Sequence, residues 1–159
     1  MTTPIYLIRH AKAGSRSRWA EPDHLRPLTK SGRRQAEALV ELFAEQPFSR
    51  LVSSPYVRCV QTFEPLAADR DLEVAVTDEL AEGAGADEAL ELMLSLAAAG
   101  PAAFCTHGDV MQLSVLELAE AGLPLREGGL HDLAKGSTWI LEVADGSFAG
   151  ARYVPPPDL

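Results

Sequence analysis

Residues 5–11 read Ile5-Tyr6-Leu7-Ile8-Arg9-His10-Ala11. Four successive apolar side chains between Pro4 and Arg9 fit a short strand buried on both faces. The run stops at a guanidinium followed by an imidazole, and a polar loop extends from about Ala11 to Lys30. The same pattern recurs downstream. Leu51-Val52 leads into Ser53-Ser54-Pro55, and Ala102-Ala103-Phe104-Cys105 leads into Thr106-His107-Gly108. Leu72 to Val76 is a further strand candidate.

Between these runs the apolar spacing becomes helical. Ser31 is expected to cap a helix carrying Gln35, Ala36, Leu39, Val40, Leu42 and Phe43, which Pro47 ends. Val57, Val60, Phe63 and Leu66 mark a second helix, and Asp87 to Ala98 a third. Gly100-Pro101 is a turn, and Val110 to Ala121 forms a fourth helix closed by Gly122. Thr138 to Val143 reads as a strand, Asp145-Gly146 as a hairpin turn, and Phe148 to Val154 as the partner strand. Strands alternating with helices predict an α/β fold, a three-layer α/β/α sandwich with a mostly parallel central sheet. The length, 159 residues, suits one domain over residues 1–159.

Open sheets of this kind bind ligands at the carboxyl ends of their strands. That rule selects Arg9-His10 after the first strand, Ser53, Ser54 and Arg58 after the second, and Thr106-His107-Gly108 after the fourth. A lone histidine or arginine at such a place is usually structural or solvated. Here two of the chain's four histidines and two arginines share the location, which points to an anion site.

The charge distribution agrees. The chain is −9 overall, yet residues 1–34 carry Arg9, Lys12, Arg16, Arg18, Arg26, Lys30, Arg33 and Arg34 against two acids. That segment is +6 and the remainder −15. An acidic whole disfavours nucleic-acid binding, whereas a local basic region suits a phosphate group. Arg33 and Arg34 read as solvated helix charges. No apolar run reaches the ~20 residues that span a bilayer, and Met1-Thr2-Thr3-Pro4 lacks the pattern of a signal peptide. A cytoplasmic location away from membranes is expected. Cys59 and Cys105 read as two buried thiols acting as small hydrophobes. No metal-ligand spacing is present, and Gly83-Ala84-Gly85 is not a P-loop. No metal or other cofactor is expected.

Leu7-Ile8-Arg9-His10-Ala11 resembles the signature of the histidine phosphatase superfamily, which includes phosphoglycerate mutases. Leu28-Thr29, Gly32 and Gln35-Ala36 resemble its second block. Ser53-Ser54-Pro55, Arg58 and Gln61-Thr62 are similar to its third, and Thr106-His107-Gly108 to its fourth. The Arg-His-Ala-Lys-Ala form looks closest to the SixA-like branch, associated with phosphohistidine phosphatases. The resemblance implies a phosphoglycerate mutase-like fold. It also implies His10 as nucleophile, with Arg9, Arg58 and His107 binding the phosphoryl group. Leu80-Ala81-Glu82 resembles the pattern that carries the family's proton donor, so Glu82 is favoured, with Glu79 and Asp78 as rivals. Ser15, Arg16 and Arg18 are candidates to reach the phosphate or the substrate rim, and Gly108 to line the substrate site.

The chemistry needs these residue types. An anionic nucleophile is repelled by a phosphate, whereas a neutral imidazole is not and can form a covalent intermediate. Guanidinium groups hold phosphoryl oxygens in pairs and can supply the charge of an absent metal. The expected activity is a metal-independent phosphatase acting on a phosphorylated small molecule or a phosphoprotein. Two rival readings are a mutase-like phosphotransferase, which Ala11 in place of the familiar Gly disfavours, and a non-catalytic phosphate-binding module.

Overall fold

The computed structural model describes residues 1–159. In chain order the elements are β1 (Thr3–Arg9), α1 (Lys30–Leu42), β2 (Leu51–Ser53), α2 (Val57–Arg70), β3 (Val74–Val76), α3 (Ala86–Ala97), β4 (Ala102–Thr106), α4 (Gly108–Glu120), β5 (Leu125–Arg126), β6 (Thr138–Ala144) and β7 (Ser147–Val154). All seven strands form one sheet in the order β3-β2-β4-β1-β6-β7-β5. β2 runs parallel to β3 and β4, β4 runs parallel to β1, and β5 runs parallel to β7. β6 is antiparallel to both neighbours. The sheet is therefore mostly parallel, and the α/β expectation holds.

Strand alternation divides the apolar residues of β1 between two layers. Tyr6 and Ile8 pack with Leu39 of α1 and with Cys59, Phe63 and Leu66 of α2. Ile5 and Leu7 pack on the opposite face with Ala89, Leu90 and Met93 of α3 and with Val110, Met111 and Val115 of α4. The continuous apolar run thus reflects burial on both sides. Ile5, Leu7 and Ile8 are fully buried, each worth roughly 2–3 kcal/mol relative to exposure. No helix is long and apolar enough to cross a membrane.

One local feature differs from the sequence expectation, and two others were not specified by it. Thr29, not Ser31, caps α1: its Oγ1 accepts from the Gly32 amide at 3.0 Å. Ser31 falls inside the first turn because the Thr29 amide is already tied to the Lys12 carbonyl at 2.9 Å. A Cβ on Gly32 would lie 1.9 Å from that same carbonyl, so the glycine permits the loop after His10 to rest on the helix. The hairpin of β6 and β7 pairs directly with β1, with Thr138 opposite Ile8. The two-residue β5 is too short to leave a periodic trace.

Candidate active site

The register of the parallel strands brings distant residues together. Arg9 at the end of β1 lies opposite Thr106 at the end of β4, and Ser53 at the end of β2 lies opposite Cys105. His10 and His107 each follow one of these adjacent ends. Their rings stand 5.4 Å apart between centroids at 65°. His107 also occupies the N-cap of α4, whose amino end therefore starts at the same place.

His10 is 5% exposed. Its Nδ1 lies 2.7 Å from the Ala11 carbonyl, which can only accept, so Nδ1 carries the proton and Nε2 keeps its lone pair. The Ala11 amide donates in turn to Thr62 Oγ1, and the Thr62 hydroxyl donates to the Arg58 carbonyl. Burial is the main cause that pushes the His10 pKa down to about 3. The Ala11 bond opposes this, while His107, Arg58 and Arg9 reinforce it by their charge. The imidazole is therefore neutral at any ordinary working pH.

Three polar side chains surround it. Arg58 is fully buried and sits in the first turn of α2. Its Nη1 donates to the Asp23 carbonyl at 2.9 Å, and its Nη2 donates to Asp23 Oδ2 at 3.0 Å and Glu82 Oε1 at 3.3 Å. His107 shares a hydrogen bond of 2.8 Å between Nε2 and Ser54 Oγ. Arg9 Nη1 donates to the Leu133 carbonyl at 2.6 Å. Burial lowers the Arg9 pKa, with Asp109 and Glu82 working against it. Six buried side-chain polar atoms lack a partner in the whole chain, and Arg9 Nε, Arg58 Nε and His107 Nδ1 are three of them.

Gly108 contributes by what it lacks. A Cβ there would meet the Arg9 guanidinium, with Cζ at 2.7 Å and Nη2 at 2.8 Å. The clashing atoms are the mobile end of a side chain, so the chain can fold around them, but only with Arg9 displaced. Gly108→Ala is expected to leave the melting temperature within a few degrees of the parent. It should lower kcat/KM on a phosphomonoester by about 10–100-fold, because a positioned charge has moved. Paired melting and kinetic measurements check this; full activity would show that the position of Arg9 is unimportant.

Of the three candidate acids, the fold brings Glu82 into the cluster. Its Oε1 lies 2.8 Å from Arg16 Nη2, 3.3 Å from Arg58 Nη2 and 4.0 Å from His107 Nδ1. Asp78 and Glu79 belong to a short 3-10 turn just before it, where the Glu79 amide donates to Thr77. Among the loop candidates, Arg16 reaches the cluster through Glu82 and Asp23. Ser15 is turned to Ser17, and Arg18 takes no part in the ion pairs. Cys59 and Cys105 are both buried thiols, and Cys59 Sγ lies 3.6 Å from His107 Nε2.

Sequence reading passed over Asp23. Its carboxylate pairs with Arg58, Arg26 and Arg16 at 3.0, 3.0 and 3.7 Å. Burial acts to raise its pKa. The Arg26 hydrogen bond and the charge and hydrogen bond of Arg58 outweigh this and hold it below the usual carboxylate value. The available signal was an acid in the middle of the basic segment. Thr62, which ties the Ala11 amide to the Arg58 carbonyl, stood in a recognised block without an assigned role.

Comparison with known proteins gives the family and the fold. The family model of the histidine phosphatase superfamily (branch 1) matches residues 5–90. An 8-oxo-(d)GTP phosphatase of Mycolicibacterium smegmatis is 38% identical, with 99% of this chain and 49% of the relative covered. The chain thus spans about half the length of that curated relative. A structure provisionally assigned as phosphohistidine phosphatase SixA from Nakamurella multipartitia is 26% identical with a TM-score of 0.74, covering 99% of this chain and 96% of that one. The protein histidine phosphatase SixA complexed with tungstate shares the fold at a TM-score of 0.75 and 18% identity, over 95% and 94% of the two chains. With the family model matching more than half of its length, this chain belongs to the histidine phosphatase superfamily, branch 1.

Proposed function

We propose that this chain is a phosphatase in which Nε2 of His10 takes the phosphoryl group and then yields it to water. One observation carries the reading: a buried imidazole, neutral and locked by the Ala11 carbonyl, sits among Arg9, Arg58 and His107. The three unpartnered polar atoms on those side chains suit the oxygens of a tetrahedral anion.

The cycle has two displacements. Nε2 attacks phosphorus, a P–N bond forms, and the bond to the leaving oxygen breaks. Glu82 gives that oxygen a proton. The resulting carboxylate then takes a proton from water, which attacks phosphorus, breaks the P–N bond and releases inorganic phosphate. Both guanidiniums and the amino end of α4 stabilise the charge on the equatorial oxygens. The charge on those oxygens is assigned to these cations.

The substrate class is a phosphorylated small molecule or a phosphoprotein. The 38% identical relative, named for a nucleotide substrate, favours the small molecule. Rapid quenching with a radiolabelled phosphodonor tests the mechanism. The expected product is a chain labelled at His10, with the label lost in acid and stable in alkali. An acid-stable label, or turnover with none at all, overturns it.

A further inference from the structure

We infer that the rim of the site holds a second phosphate through Lys12 and Lys135, so the substrate ends in a diphosphate linkage. This rests on the reading of His10 as phosphoryl acceptor and adds the substrate class.

The observation is a backbone clamp beside the nucleophile. Gln35 Oε1 accepts from the Lys12 amide at 2.9 Å, and Gln35 Nε2 donates to the Lys135 carbonyl at 3.2 Å. One carboxamide thus joins the loop after His10 to the loop before β6. The next residue, Gly136, donates its amide to the carbonyls of both Arg9 and His10 at 3.1 Å. Gly136 has φ +82°, and a Cβ there would lie 3.1 Å from Gln35 Nε2, so the approach depends on glycine. The backbones of Lys12 and Lys135 are consequently held beside Arg9 and His10, so their exposed side chains start from the edge of the phosphoryl site although the two residues lie 123 positions apart in the chain.

Both side chains are exposed, and neither enters an ion pair. The nearby carboxylates of Asp23 and Glu82 are engaged with Arg16, Arg26 and Arg58. Burial, followed by the charges of Arg9, Arg26, Lys12 and Arg16, lowers the Lys135 pKa, which agrees with crowding of like charges. A terminal phosphoryl group of charge about −2 is already matched by Arg9 and Arg58. Two further ammonium groups at the rim form a positive surplus in a chain of net charge −9. An adjoining phosphate removes that surplus, whereas an alcohol or a peptide leaving group does not.

The step balances with water alone. Nε2 attacks the terminal phosphorus, and its bond to the bridging oxygen breaks. The electron pair leaves with that oxygen on the departing monophosphate ester. This is a far weaker base than an alkoxide and needs little help from Glu82. Water then cleaves the P–N bond and gives inorganic phosphate.

The test compares guanosine diphosphate with p-nitrophenyl phosphate, using the parent and a Lys12→Gln/Lys135→Gln double variant. The parent should favour the diphosphate in kcat/KM by about tenfold or more. The double variant should lose about tenfold of that preference, mostly in KM, as expected for charge-assisted contacts. Inorganic pyrophosphate should inhibit the parent more strongly than phosphate, and the double variant should lose this difference. Lys135→Glu, at an exposed position, should reduce the preference further without lowering the melting temperature. If the preference is absent in the parent, or unmoved in both variants, the second-phosphate site is overturned. Loss of the acid-labile phosphoenzyme would instead overturn the catalytic reading beneath it.

Discussion

His10→Gln is expected to lower kcat by about 10⁴–10⁶, the range seen when a covalent nucleophile is removed. The variant should give no acid-labile phosphoenzyme. Glutamine keeps a polar side chain of similar reach, so phosphate should still bind. Retained turnover would mean that another group accepts the phosphoryl or that water attacks directly. The same variant carries a stability signature. Histidine in the unfolded chain protonates near its ordinary value of 6.5, whereas folded His10 does so only at about 3. Between those values the unfolded state binds a proton that the folded state refuses. The stability linked to His10 is therefore complete above pH 6.5 and is lost as pH falls toward 3. At about 1.4 kcal/mol per pKa unit, the loss is roughly 5 kcal/mol at the acid end. His10→Gln should lessen the acid sensitivity of the melting temperature between pH 6.5 and pH 4. An equal slope in both proteins would contradict the buried neutral ring.

What was legible in the sequence followed from local rules. Ile5 to Ile8 announces a strand buried on both faces, and the fold supplies a helical layer for each. The rule of carboxyl ends then needs only adjacency of β1, β4 and β2 to bring together Arg9, His10, Arg58 and His107. Residues whose role depends on long-range hydrogen bonds were hidden. Asp23 acts by meeting Arg58, 35 positions further on, from a loop with no periodicity. Gly136 and Lys135 matter only because the hairpin inserts β6 beside β1, a placement that alternation of elements does not specify. The resemblance of Leu80-Ala81-Glu82 favoured Glu82 over Asp78 and Glu79, and the geometry adds its contacts with Arg16 and Arg58.

Arg58 is where structure and chemistry are hardest to separate, and Arg58→Lys separates them. The guanidinium is fully buried, yet two of its nitrogens point to a loop residue, Asp23, and its Nε has no partner. Its planar fork can hold Asp23 and still present an N–H to the phosphoryl group. An ammonium is a single point charge on a flexible stem and cannot serve both directions at once. Arg58→Lys is expected to keep the fold, because the positive charge opposite Asp23 and Glu82 remains. It should lower kcat/KM by about 10²–10³, similar to the removal of one positioned donor from an oxyanion site. Arg58→Ala should match or exceed that loss and also destabilise the chain by about 2–4 kcal/mol, since it empties a fully buried side-chain site, while Asp23 and Glu82 keep Arg26 and Arg16. Comparing kcat/KM with urea unfolding in the two variants decides the matter. If Lys restores full activity, Arg58 supplies only bulk charge; if both variants lose stability and activity in proportion, its role is to pin the Asp23 loop.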